Sequence, residues 1–279
     1  MRYEACEYNF MTVYMWQHVF HTGYVKSENY LNIFGSYEGE YFAMQPVAQR
    51  EHYDEAFDSM EECFRRKGEK ITLRAVTQPW KDYLSERFPD RFEVIEDRDS
   101  SDYIYDAEKL RTLSGRKYHS KKNHYNAFMK EYEGRFEYRR LDTPDFKEAI
   151  DLMERWAEDK EKDMTLVGER LAVEKVFRNY GCLRETKVGG IYIDGRLEAF
   201  TFGDALNPDT VDVHVEKANP EIRGLYVVIN KLFLENEFPR MDFVNREEDL
   251  GLEGLRQAKL SYKPVKLVEK FTLVEKTDR

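Results

Sequence analysis

Between Asn29 and Glu96 the apolar positions alternate in some stretches and recur every three to four residues in others, the spacings of strands and helices respectively. Tyr30 to Phe34 and Glu40 to Met44 read as strands around a tight turn at Ser36 to Gly39, and Ile71 to Ala75 and Phe92 to Glu96 as two more. Helices are expected from about His52 to Lys67, with Tyr53, Ala56, Phe57, Met60 and Phe64 as the apolar positions, and around Pro79 to Phe88. The second half repeats this order. Lys187 to Ile193 and Arg196 to Gly203 flank an Asp194-Gly195 hairpin turn; then come a strand Thr210 to Glu216, a helix Gly224 to Glu237 and a strand Met241 to Val244. A helical turn near Glu253 to Lys259 and a strand Leu267 to Val274 follow. The segments Asn29 to Glu96 and Lys187 to Val274 are therefore expected to superpose as two α/β units. Between them lie a basic helical segment, Lys109 to Tyr132, and two more helices, Pro144 to Lys162 and Glu169 to Tyr180, the first opened by Pro144 after Thr143. The boundary is placed near Gly134 to Asp142, giving domains 1–135 and 136–279, the second carrying the active site.

The strand Thr210 to Glu216 sends Val211, Val213 and Val215 to one face and Asp212, His214 and Glu216 to the other. A helix and a further strand follow it, so the right-handed crossover rule makes Thr210 to Glu216 parallel to Met241 to Val244. Open α/β sheets hold ligands at the carboxyl ends of their strands. There His214, Glu216 and Lys217 are expected to share a crevice with Asn245, Arg246 and Glu247, a set suited to proton transfer and to holding a carbonyl or phosphate. A solvent-facing polar row is the alternative. The helix start at Gly224, with Arg223 beside it, offers backbone N–H groups for an anion, or is an ordinary helix start after Pro220. Tyr226 and Asn230 lie four apart on one face of that helix, and Lys259 and Tyr262 stand where the last helical turn passes into Pro264.

Composition narrows the classes. With 279 residues, 14% aromatic and 35% charged, the chain is expected to be soluble and globular, and it is placed in the cytoplasm because no stretch has the length of a membrane span. Cys6, Cys63 and Cys182 show no CxxC pairing, so they read as buried or idle thiols rather than a disulfide framework or zinc site, with Cys182 at a core position. A net charge of −10 argues against general nucleic-acid binding. Only a local patch could serve, and Arg111, Arg116, Lys117, His119, Lys121 and Lys122, with Tyr118 and Tyr125 among them, form one. It reads either as an RNA contact or as a solvated basic helix face. No GxSxG elbow, Walker loop, HExxH motif or dinucleotide fingerprint occurs.

The motifs Tyr105, Leu110, Leu113, Gly115, Lys117-Tyr118-His119, Lys122-Asn123, His214 to Ala218, Asn245-Arg246-Glu247 and Lys259 to Tyr262 resemble a bacterial family similar to the C-terminal synthase domain of phosphatidylglycerol lysyltransferase. The resemblance covers nearly the whole chain. It implies two tandem GNAT-like acyltransferase domains, each a mixed β-sheet flanked by helices. It also implies transfer of an amino acid from aminoacyl-tRNA to an amine or hydroxyl of a lipid, peptide or small molecule, as in the lysyltransferases and the related Fem aminoacyltransferases. The closing family motif is matched by Gly254-Leu255, Lys259, Tyr262 and Pro264. Two departures stand out: the lysyltransferases' membrane-spanning portion and the Fem proteins' coiled-coil arm are both lacking. The reading expects Glu216, His214 or Glu247 to take a proton while Lys259 and Arg246 stabilise the carbonyl oxygen or the departing group. Arg223, Gly224, Tyr226, Asn230, Asn245 and Tyr262 would bind substrate, and Arg116, Lys117, Lys121 and Lys122 the tRNA. No metal and no cofactor beyond the charged tRNA is called for. An acyl-CoA-dependent N-acetyltransferase of a small amine is the rival, although the bulky Tyr226 stands where CoA-binding loops carry a small residue. A non-catalytic module binding RNA or an acidic metabolite is a third reading.

Overall fold

In the computed structural model, which describes residues 2–157 and 164–277, the expected order of elements is present. The chain runs through α1 (Phe10–Phe20), β1 (Gly23–Lys26), β2 (Tyr30–Tyr37), β3 (Glu40–Met44), β4 (Val47–Ala48), α2 (Tyr53–Lys67), β5 (Thr72–Val76), α3 (Gln78–Arg87) and β6 (Phe92–Glu96). It continues with β7 (Asp102–Asp106), α4 (Ala107–Thr112), α5 (His119–Glu131), β8 (Phe136–Arg140), α6 (Phe146–Ala157) and α7 (Met164–Arg178). Last come β9 (Lys187–Ile193), β10 (Arg196–Asn207), β11 (Thr210–Ala218), α8 (Leu225–Glu237), β12 (Phe243–Asn245), α9 (Glu253–Ser261), β13 (Lys266–Val268) and β14 (Phe271–Glu275). The expected continuation of α6 to Lys162 falls outside the described residues. The helix α1 and the strands β1, β4, β7 and β8 were not anticipated, and the single strand expected from Leu267 to Val274 is two, β13 and β14, in different sheets.

Two compact units result, one comprising Met1–Asp102, Glu248–Glu253 and Leu267–Arg279, the other Tyr103–Glu247 and Gly254–Lys266. Each is built on a mixed sheet. In the first the order is β1-β2-β3-β5-β14-β6, with β4 paired to β2, and in the second β13-β7-β12-β11-β10-β9-β8. Within each, a hairpin leads through a helix to a strand parallel to its second arm: β3 is parallel to β5, and β11 to β12. The two units thus share one grammar.

They are not contiguous halves, however, and the expected division at 135/136 gives way to one at Asp102/Tyr103. β14, from the end of the chain, lies in the first sheet between β5 and β6, where Leu273 faces Leu73 on one side and Val94 on the other. β7, from the first half, lies in the second sheet beside β12, with Tyr105 opposite Val244. Burial explains β7: Asp102, Tyr103, Ile104 and Tyr105 are all buried, so neither face of this strand can front water. Its alternation is hidden for the same reason, which is why it went unread.

The core of the first unit gathers Phe57, Met60 and Phe64 of α2 against Leu73, Val76, Trp80 and Leu273. These α2 positions recur every three to four residues, so the helix buries one face and leaves its charged face in water. In the second unit Val228 and Ile229 of α8 and Phe128 of α5 pack on Ile191, Ala199 and Ala218. Among the described residues no helix is long and apolar enough to cross a membrane.

Candidate active site

The expected crevice sits at the carboxyl ends of β11 and β12, and a β-bulge decides which side chains enter it. Along β10 and β11, Phe202 is opposite Val215 but the next residue, Gly203, is opposite Val213, leaving His214 without a Cα partner. The extra residue reverses the alternation. Cross-strand partners share a face, so Val215 lies with Phe202 while Val213 and Glu216 take the opposite face. The single face of three valines does not exist, and His214 and Glu216 do not share a face.

On the α8 side, Glu216 accepts from Nδ2 of Asn230 at 3.0 Å and from Nη2 of Arg246 at 2.9 Å. Asn230 is 1% exposed. The Arg246 guanidinium lies 4.7 Å from the Tyr262 ring centroid, and Lys121 Nζ lies 3.7 Å from the same centroid. Lys259 is buried too, donating from Nζ to the carbonyl of Arg246 at 2.5 Å, while its own carbonyl accepts from the Tyr105 hydroxyl at 2.9 Å. Glu216, Arg246, Lys259, Tyr262 and Asn230 therefore converge as the sequence implied. Lys121 joins them, which the sequence did not imply.

The electrostatics follow from burial. The Lys121 ammonium is pulled down to about 8, first by desolvation and then by the nearby Arg246, against a smaller upward pull from Glu216. Tyr262 is pushed above its ordinary range by burial, which Arg246 only partly offsets. Arg246 stays firmly charged: burial opposes its charge, but Glu216 outweighs that. One of its nitrogens, Nη1, is buried with no hydrogen-bond partner among the described residues. A buried guanidinium N–H normally has an acceptor.

The remaining expected residues go elsewhere. His214 lies with Asp204 and Glu247, its Nε2 3.1 Å from Asp204 Oδ1 and its Nδ1 3.0 Å from Glu247 Oε1, and with Asp212 Oδ2 at 3.8 Å. Burial alone would strip its proton, yet Asp212 and the bonds to Asp204 and Glu247 raise its pKa well above the ordinary value. Both ring nitrogens face carboxylates, so His214 is an imidazolium and cannot serve as the proton acceptor the sequence reading allowed. Glu247 is its partner, held at a positive φ of 55° with its N–H on Asn245 Oδ1 at 2.7 Å. Lys217 also leaves the crevice: it pairs with Glu169 at 2.7 Å and lies 3.7 Å from the Trp156 ring centroid.

Gly224 has φ 86°, and a Cβ there would meet the carbonyl oxygen of His124 at 2.5 Å. The helix start is packed against α5 rather than opening as an anion site. Exposed Arg223 turns to His124 at 3.5 Å, and Tyr226 accepts from Trp156 Nε1 at 2.8 Å. Arg116 and Lys117, in a short 3-10 turn before α5, and Lys122, on α5, are exposed.

Sequence reasoning also missed a second buried charge cluster, in the first unit. Lys270, fully buried, donates to Asp102 and Glu7 at 2.7 Å each and lies 3.6 Å from the sulfur of buried Cys6. A lysine inside a strand-ending polar run gives no signal of burial until its carboxylates are known. All cysteines are free; Cys63 is half-buried, and Cys182 is exposed, not in the core as expected.

Residues 1–274 match the family described as phosphatidylglycerol lysyltransferase, C-terminal. A conserved protein of unknown function from Bacteroides thetaiotaomicron is 31% identical, with a TM-score of 0.92 over 97% of this chain and 91% of that one. L-PGS from Bacillus licheniformis, 13% identical, aligns with a TM-score of 0.71 over 97% of this chain and 88% of that one, and so shares the fold. An uncharacterized protein of Mycoplasmoides gallisepticum is 24% identical over 172 residues, 62% of this chain and 55% of that one. The match thus spans about half the length of that relative.

Proposed function

The chain belongs to the phosphatidylglycerol lysyltransferase C-terminal family, and from that premise we propose that its second unit is an aminoacyltransferase site. It moves an aminoacyl group from the ester of a charged tRNA to an amine or hydroxyl on a lipid headgroup, peptide or small molecule. The observation that carries this reading is the buried guanidinium of Arg246, fixed by Glu216 through Nη2 and set beside Lys121 and Tyr262. A donor so held is ready for the oxygen that gains charge when a nucleophile adds to the ester carbonyl. Lys121, with a pKa of about 8, supplies the proton acceptor. As a neutral amine it takes the proton of the attacking group, and as ammonium it returns that proton to the departing ribose oxygen. Lys259 fixes the backbone of Arg246 and so acts as a positioning residue. The exposed Arg116, Lys117 and Lys122 hold the tRNA backbone, and the transfer calls for no further cofactor.

The test incubates the protein with a pool of charged tRNA, with phosphatidylglycerol vesicles or small amines as acceptors. Loss of the aminoacyl ester together with labelled acceptor is expected, and Arg246→Lys should lower the rate about 100-fold, the scale of one oxyanion donor. Consumption of acetyl-CoA with no use of charged tRNA would replace this reading by a CoA-dependent acyltransferase.

A further inference from the structure

We propose that Lys121 is a modification site: when no other acceptor fills the crevice, its amine takes the aminoacyl group itself, as an ε-N-aminoacyl amide, and the site is switched off. This deepens the transferase reading and rests on it. The buried lysines among the described residues are tied down, Lys217 to Glu169 at 2.7 Å, Lys259 to the carbonyl of Arg246 at 2.5 Å, and Lys270 to Asp102 and Glu7 at 2.7 Å each. Lys121 differs. Its Nζ lies 3.7 Å from the Tyr262 ring centroid, and among the described residues neither a carboxylate nor a carbonyl holds it. Glu216, the carboxylate of the crevice, is already engaged by Asn230 at 3.0 Å and by Arg246 at 2.9 Å.

A lysine becomes a nucleophile when it is drawn out of water or set beside another cation. Lys121 meets both conditions. It is half-buried, so part of its hydration is gone while part of its surface still admits a reactant. Desolvation and then the neighbouring Arg246 weaken its hold on a proton, with Lys263 adding to them against Glu216. Once the proton has left, no group of the described chain competes for the lone pair. An ester carbonyl set against the Arg246 guanidinium meets this amine at the effective concentration of an intramolecular partner. The Nζ lone pair adds to the carbonyl carbon, the C–N bond forms, the C–O bond to the ribose breaks, and the departing oxygen takes the proton that the nitrogen gives up. No oxidant or further reactant enters. The amide that results carries neither the base nor the charge of Lys121, and it does not pass its acyl group on as the ester did. A bound acceptor takes the group first, so the modification follows from an empty acceptor position.

The test incubates the full chain at pH 8 with tRNA charged with labelled amino acids, once without acceptor and once with phosphatidylglycerol vesicles or small amines, followed by intact-mass spectrometry and peptide mapping. Without acceptor, one aminoacyl adduct is expected on the peptide carrying Lys121, resistant to hydroxylamine as an amide is. It should form about tenfold faster, or more, than adducts on exposed Lys117 and Lys122. Added acceptor should suppress it, and protein carrying it should lose transfer in proportion. Lys121→Arg should abolish it, and mapping on the wild-type chain carries the test even where that variant fails to fold. Labelled acceptor with Lys121 free in both arms overturns this inference and leaves the transferase reading standing. Adducts spread evenly over the exposed lysines, at the rate seen in the urea-unfolded chain, overturn it as adventitious acylation. An ester untouched in both arms ends the transferase reading and this inference with it.

Discussion

Lys121 shows how far a single side chain can depart from the reading its neighbours invite. In sequence it belongs to a basic run of which Arg116, Lys117, His119 and Lys122 are exposed; in the fold it lies over Tyr262 next to Arg246. With a pKa of about 8, activity should rise between pH 7 and 9 with an inflection near 8, because the neutral amine is the working form. Lys121→Met should remove that inflection and lower turnover at least 100-fold, measured by single-turnover transfer across pH. It should not lower stability at pH 7, since burying an ammonium whose folded pKa lies below 10.5 opposes folding until the pH passes that value. His214 has the opposite sign. Its raised pKa stabilises the fold fully below about 6.5 and loses that contribution as pH climbs through the folded value. His214→Gln should therefore cost about 3 kcal/mol in urea unfolding at pH 6, a deficit that shrinks as the pH rises through the folded pKa. Glu216, Arg246 and Lys259 were legible because strand ends and a crossover place them. Lys121 was not, because its role depends on packing across α5 that no local pattern records.

At the level of elements, the strands and helices flanking each parallel pair were legible from periodicity, since each buries one face. The bulge at His214 was not. Val211 to Glu216 alternates without a break in sequence, and only the register against Phe202 and Gly203 shows that one residue is surplus. β7 escaped because it is buried on both faces, and α1 because its mean composition is apolar with little periodic contrast. The start of α8 offers a direct test. Gly224 combines a positive φ with a backbone carbonyl 2.5 Å from where a Cβ would stand. Gly224→Ala should destabilise by about 2 kcal/mol or more, from the αL penalty and the displacement of α5, measured by chemical denaturation. Because α5 carries Lys121, the same substitution should also shift the pH inflection of transfer.

For the molecule as a whole, the tandem architecture was legible in the order of elements, whereas the exchange of β7 and β14 was not, because strand order in a sheet is set by long-range pairing. A chain ending at Lys266 would lack β14 and leave β5 and β6 without the strand between them. Circular dichroism and hydrogen exchange on that truncation should show the first unit unprotected, at α2 as well as at its sheet. Reversing the charges of Arg116, Lys117 and Lys122 should weaken tRNA binding and flatten its salt dependence, read by filter binding at several ionic strengths. The exchange also bears on how the protein is made. Leu73 waits for Leu273, so on the ribosome the amino-terminal unit emerges early yet cannot close its sheet until β14 has left the exit tunnel. Translation of the second unit thus proceeds beside a half-finished neighbour with unpaired strand edges at β5 and β6. Such edges recruit chaperones or aggregate, and the yield of native protein should depend more on how soon β14 emerges than on the stability of either unit.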